Sequence, residues 1–220
     1  LQRVRDRIAA AAQACGRAPA DVRLLAVSKA FPLDDVRAAL AAGQYCFGES
    51  YLREAVAKIV ALTTPAPHWH FIGPLQSNKT RAVAEHFAWV HSVDRLRIAQ
   101  RLNEQRPAEL PPLAVCVQVN ISGERSKSGV TPDALAELAA AVTALPRLRL
   151  RGLMTIPAPT DDTTAQRAAF RRLRLLQEEL NRGGFGLDTL SMGMSDDLEA
   201  AIDEGATIVR IGSAIFGTRD

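Results

Sequence analysis

Short apolar runs and helical patterns alternate eight times along this chain, and few folds accept that rhythm. The apolar runs read as strands at Val22–Ser28, Tyr45–Phe47, His68–Ile72, Trp89–His91, Leu113–Asn120, Leu148–Thr155, Leu187–Ser191 and Thr207–Arg210. Helical patterns separate them at Leu33–Ala42, Tyr51–Leu62 and Thr163–Asn181. Others are read from Ser77 to His86, from Asp94 to Gln105, from Thr131-Pro132 to Leu145 and from Ser195 to Glu204. Ser77, Asp94 and Thr131 are read as N-caps. One further amphipathic helix, Leu1–Ala14, precedes the first strand. Alternation with short connections implies parallel pairing. Residues 1–220 are therefore expected to form one domain, a (β/α)8 TIM barrel with an extra N-terminal helix. The competing open, doubly wound sheet normally carries a GxGxxG turn after its first strand, and none stands here.

Composition narrows function more than fold. The net charge is 27 − 24 = +3 and the pI near 9.0. The basic residues are scattered through helices without interleaved aromatics, so nucleic acid is not the expected partner. No stretch reaches the ~18 apolar residues of a membrane span, and no signal peptide is visible. Cys15, Cys46 and Cys116 are odd in number and lack CxxC spacing, which argues for a reducing, cytoplasmic setting. His68 and His70 share a strand face as an HxH pair. No third ligand has suitable spacing, so packing is expected instead of a metal.

In such a barrel the chemistry sits at the carboxyl ends of the strands. Lys29 follows the first strand, Leu24-Leu25-Ala26-Val27-Ser28. Ringed by apolar neighbours, a lysine there can lose its proton and attack a carbonyl. Read alone, it fits a charge leaving a strand for solvent better. Two glycine-bearing turns alter that balance. Ser191-Met192-Gly193-Met194-Ser195 follows strand seven, and Arg210-Ile211-Gly212-Ser213 follows strand eight. Loops after strands seven and eight commonly bind phosphate. Ser195 and Ser213 offer hydroxyls, and each is expected to open a helix with free N–H groups. Asp196 and Asp197 would repel a phosphate unless they face solvent. An inward Arg210 adds a fixed cation. A lysine, an arginine and a phosphate cradle together point to pyridoxal 5'-phosphate. Its aldehyde would join Lys29, and Arg210 would face the pyridine nitrogen. Arginine only donates, so that nitrogen would stay unprotonated and the ring would be a weak electron sink.

The matching stretches are AVSK at 26–29, FGESY at 47–51, HFIGPLQSNK at 70–79, VNIS at 119–122, SKSG at 126–129, RGLM at 151–154, LSMGMSDD at 190–197 and RIGSAIFG at 210–217. Through them the chain resembles the pyridoxal phosphate homeostasis protein family, relatives of the alanine racemase barrel domain. The resemblance implies a barrel carrying pyridoxal phosphate as a Schiff base on Lys29. Phosphate contacts fall to Ser195, Gly212 and Ser213, with Arg210 near the ring nitrogen. Ser50 and Tyr51 are further candidates, and Ile72 and Met192 are candidate pocket wall. Ser50 departs from the family's usual asparagine, and its shorter reach puts a side-chain contact there in question.

Two classes of function compete. Racemisation needs an acid/base group on each face of the substrate carbon. In alanine racemase the second is a tyrosine from a C-terminal β domain, which is not expected here. A carrier or buffer of the cofactor is therefore expected, with a weakly active amino-acid racemase as the alternative and a sugar-phosphate barrel enzyme behind it. The expected partners are the cofactor itself and apo forms of the enzymes that use it, with the chain a monomer. Lys127, in the polar loop after strand five, is expected to overhang the mouth and assist transfer.

Overall fold

The computed structural model describes residues 1–124 and 128–217. Among them eight parallel strands close into a barrel in sequence order. They are β1 (Arg23–Val27), β2 (Cys46–Glu49), β3 (His68–Phe71), β4 (Trp89–Val93), β5 (Leu113–Gln118), β6 (Leu148–Met154), β7 (Thr189–Ser191) and β8 (Ile208–Ile211). Helices α2 (Leu33–Ala41), α3 (Leu52–Ala61), α4 (Thr80–His86), α5 (Leu96–Gln105), α6 (Leu135–Thr143), α7 (Thr163–Arg182) and α8 (Leu198–Asp203) connect them. A single turn, α9 (Ser213–Phe216), follows β8, and α1 (Gln2–Ala14) precedes β1. The barrel expectation holds. No described helix is long and apolar enough to cross a membrane.

Alternation along the strands sorts the core into two parts. Val90, Val115, Val117, Leu153, Leu190 and Val209 point outward into one large apolar cluster. Helix residues such as Val36, Ile98, Leu102 and Leu173 complete it. Each such side chain contributes about 1.5–3 kcal/mol by leaving water. The neighbouring positions Trp89, Ala114, Cys116 and Met154 form a separate small cluster, inside the barrel. The Cys116 thiol is fully buried there, and burial pushes its pKa up to about 12, so it stays protonated and inert.

Gly152 shows why the RGLM stretch needs glycine. A Cβ at that position would stand 1.8 Å from the Thr189 carbonyl oxygen, so β6 and β7 meet too closely for any side chain. Outside the eightfold repeat, α1 lies between α2 and α8. Arg5 donates to the Ala42 carbonyl at 3.1 Å, and Arg7 pairs with Glu199 at 2.9 Å.

Several boundaries differ from those read in the sequence. The second strand runs Cys46–Glu49, later than Tyr45–Phe47, because Gly48 and Glu49 pair with His70 and Phe71. Strand seven shortens to Thr189–Ser191. Ser77 and Thr131 do not cap α-helices, since a 3-10 turn intervenes at Ser77–Lys79 and at Pro132–Ala134. Asp94 does not cap α5, whose N-cap is Arg95, and the Asp94 carboxylate pairs with Arg95 instead.

Candidate functional site

A cleft of about 500 Å³ opens at the carboxyl ends of the strands. Lys29, Ser50, Ile72, Ser195, Arg210, Gly212 and Ser213 all line it, with Asp196 and the exposed Ile156 and Met194. Tyr51 is half exposed at the N-cap of α3, and Met192 is fully buried in the outer apolar cluster. Neither lines the cleft. A larger groove, about 600 Å³, lies near α1 at the opposite ends of β1 and β2, with Arg5, Gln44 and Tyr45 on its walls. It holds none of the candidate cofactor-binding residues.

Lys29 stands two residues past β1, half-buried in a turn. The residues on either side of it are tied down. The Ser28 hydroxyl donates to Glu49 Oε1 at 2.7 Å, and the Ser28 carbonyl accepts from Lys58 Nζ at 2.7 Å. The Ala30 N–H donates to Glu54 Oε1 at 2.8 Å. Lys58 Nζ also bonds Glu49 Oε1 at 2.8 Å and pairs with Glu54. Lys58 and Glu49 are both buried, at 5% and 0% exposure, so this ion pair is hardly screened by solvent. Burial raises the Glu49 carboxyl pKa, and the Lys58 and Ser28 hydrogen bonds oppose that. Its second oxygen, Oε2, has no hydrogen-bond partner among the described residues.

Arg210 points into the barrel and is 4% exposed. Its guanidinium donates to the Ser191 hydroxyl and to the Thr155 carbonyl, each at 2.8 Å. Burial brings its pKa down to about 10, still protonated at neutral pH. A line of polar groups continues behind it. Ser191 Oγ lies 2.8 Å from His91 Nδ1, and His91 Nε2 lies 2.9 Å from His70 Nδ1. Arginine is a donor only, so Ser191 accepts from it and passes its own proton toward His91. His91 is then protonated on Nε2 and donates to His70. Burial, with Arg210 adding to it, lowers the His91 pKa to about 3. Burial and the His91 neighbour hold His70 well below its ordinary value. Both rings are neutral, and His70 stacks on Trp89 with centroids 5.3 Å apart. His68 is exposed, and no metal-holding cluster exists among the described residues.

Across the cleft, Ser195 Oγ and Ser213 Oγ stand 3.2 Å apart. Ser213 opens the single turn α9, whereas Ser195 stands three residues ahead of α8. Gly193 makes the turn between them and the barrel, with φ +93 and its carbonyl bonded to the Arg210 N–H. A Cβ there would stand 2.6 Å from the Ala201 Cβ. The Asp197 carboxylate turns back onto the Met194 N–H at 2.5 Å, so it caps its own loop. Asp196 stays exposed at the cleft. Arg7 of α1 bonds the Ser195 carbonyl at 3.1 Å. Lys127 lies outside the described residues.

Glu49, Glu54, Lys58, His91, Ser191 and Thr155 escaped the sequence reading as supports of the site. Only the Glu54/Lys58 pair carried a local signal, four residues apart on one helix face.

The whole chain, residues 1–220, matches the family described as alanine racemase, N-terminal domain. It is 66% identical to the pyridoxal phosphate homeostasis protein of Pseudomonas aeruginosa, covering 100% of this chain and 94% of that one. It is 57% identical to the protein of the same name from Escherichia coli, covering 100% and 95%. PipY of Synechococcus elongatus, solved with PLP bound, is 38% identical with a TM-score of 0.83, covering 96% of this chain and 100% of that chain. The chain therefore belongs to the alanine racemase N-terminal domain family and, within it, to the pyridoxal phosphate homeostasis proteins.

Proposed function

We propose that this protein binds pyridoxal 5'-phosphate, covalently on Lys29, and carries or buffers it for other proteins. The observation that carries this reading is convergence. An amine on a held turn, a buried guanidinium and a pair of serine hydroxyls line one cleft. That set matches an aldehyde, a ring nitrogen and a phosphate. The names of the full-length relatives and the PLP-bound PipY support it.

The cofactor supplies an electrophilic aldehyde, and this chain supplies the partners. Lys29 would hold the cofactor through its amine, condensing with the aldehyde with loss of water and no change of oxidation state. Ser195, Gly212 and Ser213 receive the phosphate by hydroxyl and backbone donors. Asp196 is exposed, so its carboxylate has room to face water. Arg210, with donors only, suits a ring nitrogen that accepts. Ser50 and Ile72 border the cleft as wall.

The reading favours a carrier over a racemase. Tyr45 and Tyr51 are the tyrosines of the chain, and neither lines the cleft. It extends to a cytoplasmic monomer that hands cofactor to apo enzymes. Borohydride reduction of the yellow protein, followed by mass mapping, should place the adduct on Lys29. Lys29→Ala should lose the visible band and keep its fold by circular dichroism. An adduct mapped to another lysine, or a yellow Lys29→Ala protein, overturns the assignment.

A further inference from the structure

Ala30, the residue after Lys29, has φ 63 and is the one non-glycine residue with positive φ among the described residues. An L-residue pays for that conformation and keeps it only where its surroundings over-determine it. Here they do. Glu54 of α3 accepts the Ala30 N–H at 2.8 Å. On the other side of Lys29, Lys58 of α3 and Glu49 of β2 hold the Ser28 carbonyl and hydroxyl, each at 2.7 Å. Lys58 ties the two carboxylates to each other. The Lys29 turn is thus gripped before and after the lysine by one ionic cluster, buried at Glu49 and Lys58 and partly exposed at Glu54.

We infer that Glu54, Lys58 and Glu49 are positioning residues whose joint task is to hold the strained Lys29 turn, so that the amine meets the cofactor aldehyde. The inference rests on the assignment of Lys29 made above. Forming the C=N bond requires the nitrogen to approach one carbon at one angle, and small misplacements cost rate steeply. If Ala30 relaxed to negative φ, the peptide joining it to Lys29 would turn and the lysine would leave the cleft wall. The cluster prevents this by holding the residues on either side of Lys29. The Glu54 bond to Ala30 is the link most directly opposed to relaxation.

The decisive variants are Glu54→Ala, Glu54→Gln and Ala30→Gly. Glycine adopts positive φ at no steric cost, so it removes the strain that the cluster resists. Three readouts are taken on full-length apo protein: the rate of the visible imine band on mixing with pyridoxal phosphate, affinity for inorganic phosphate, and the thermal midpoint. Glu54→Ala should slow imine formation about tenfold or more, with phosphate affinity unchanged. Glu54→Gln keeps an acceptor for Ala30 and should stay within about threefold of wild type. Adding Ala30→Gly to Glu54→Ala should restore most of the lost rate, a coupling between contacting residues that a double-mutant cycle reads. A wild-type rate in Glu54→Ala overturns the inference. So does a slow rate that Ala30→Gly leaves unrescued while phosphate affinity falls in step, which marks general damage to the fold. Borohydride mapping of the wild type separates the two levels. An adduct away from Lys29 sinks the assignment itself, whereas an adduct on Lys29 with uncoupled variants sinks only the positioning role.

Discussion

Lys29 and Arg210 line the same cleft from neighbouring strands, β1 and β8, paired through Leu25 and Arg210. Their settings differ. The bonds that fix the Lys29 turn act on the backbone and side chain of its neighbours, and Lys29 itself is half-buried past the end of its strand. Arg210 sits within its strand, and its guanidinium is bonded directly to Ser191 and Thr155. The supports differ too. Behind Lys29 stands an ionic cluster, and behind Arg210 a line of neutral hydroxyl and imidazole groups. On the proposed reading, a group that forms a covalent bond needs the backbone beneath it held in one place. A group that acts only by its field needs a fixed tip, because preorganised charge costs no reorganisation when it acts.

This contrast can be broken from either side. The largest expected effect is on the ionic side. Lys58→Met leaves the fully buried Glu49 carboxylate without its cation and should cost roughly 3–5 kcal/mol in urea unfolding. The Glu49 pKa is raised in the folded state. Its folded form therefore binds the proton more tightly, and stability falls as pH rises above the ordinary carboxyl value. The Lys58→Met deficit should thus shrink near the ordinary carboxyl value of 4.5 and be fullest at neutral pH. A pH-independent deficit would remove Glu49 as its cause.

On the Arg210 side, Arg210→Met strands the Thr155 carbonyl and the Ser191 hydroxyl. It should cost about 3 kcal/mol, and the loss should shrink toward acid pH, because Arg210 lowers the His91 pKa and its removal eases protonation of that imidazole. Weakened cofactor binding should accompany it, read as the visible band at limiting pyridoxal phosphate. The smallest effect at neutral pH concerns His91, neutral in the fold with a pKa near 3 against 6.5 in the unfolded chain. Between those values the unfolded chain binds the extra proton. Stability should therefore drop as pH falls, by roughly 1.4 kcal/mol per pH unit for this one group. His91→Gln cannot titrate and should lose that part of the slope. An unchanged slope would place the imidazole in contact with water.

The barrel was legible because each strand-to-helix switch is local, written in apolar runs, glycines and prolines. Lys29, Gly193 and Gly212 were legible for the same reason: they stand at predictable strand ends. What stayed hidden depends on register between strands distant in sequence. His70 was read with His68, two residues away, yet its partner is His91 on the next strand. Glu49 looked like part of a turn, because nothing local says that Gly48-Glu49 continues the β2 ladder to reach Ser28 and Lys58. Ser77, Asp94 and Thr131 are good cap residues by type, but each helix begins later than its cap signal.

The bond from Arg7 to the Ser195 carbonyl spans 188 positions of the chain. Its consequence concerns the order in which the protein is made. Synthesis delivers α1 and Lys29 first and the Ser195 and Ser213 loops last. A growing chain therefore carries Lys29 long before it has the Ser195 loop that α1 braces. On the proposed reading, an early aldehyde adduct on Lys29 would find no phosphate partners and would hydrolyse back. On that reading, retention of cofactor would begin only when the Ser195 and Ser213 loops leave the ribosome and meet α1.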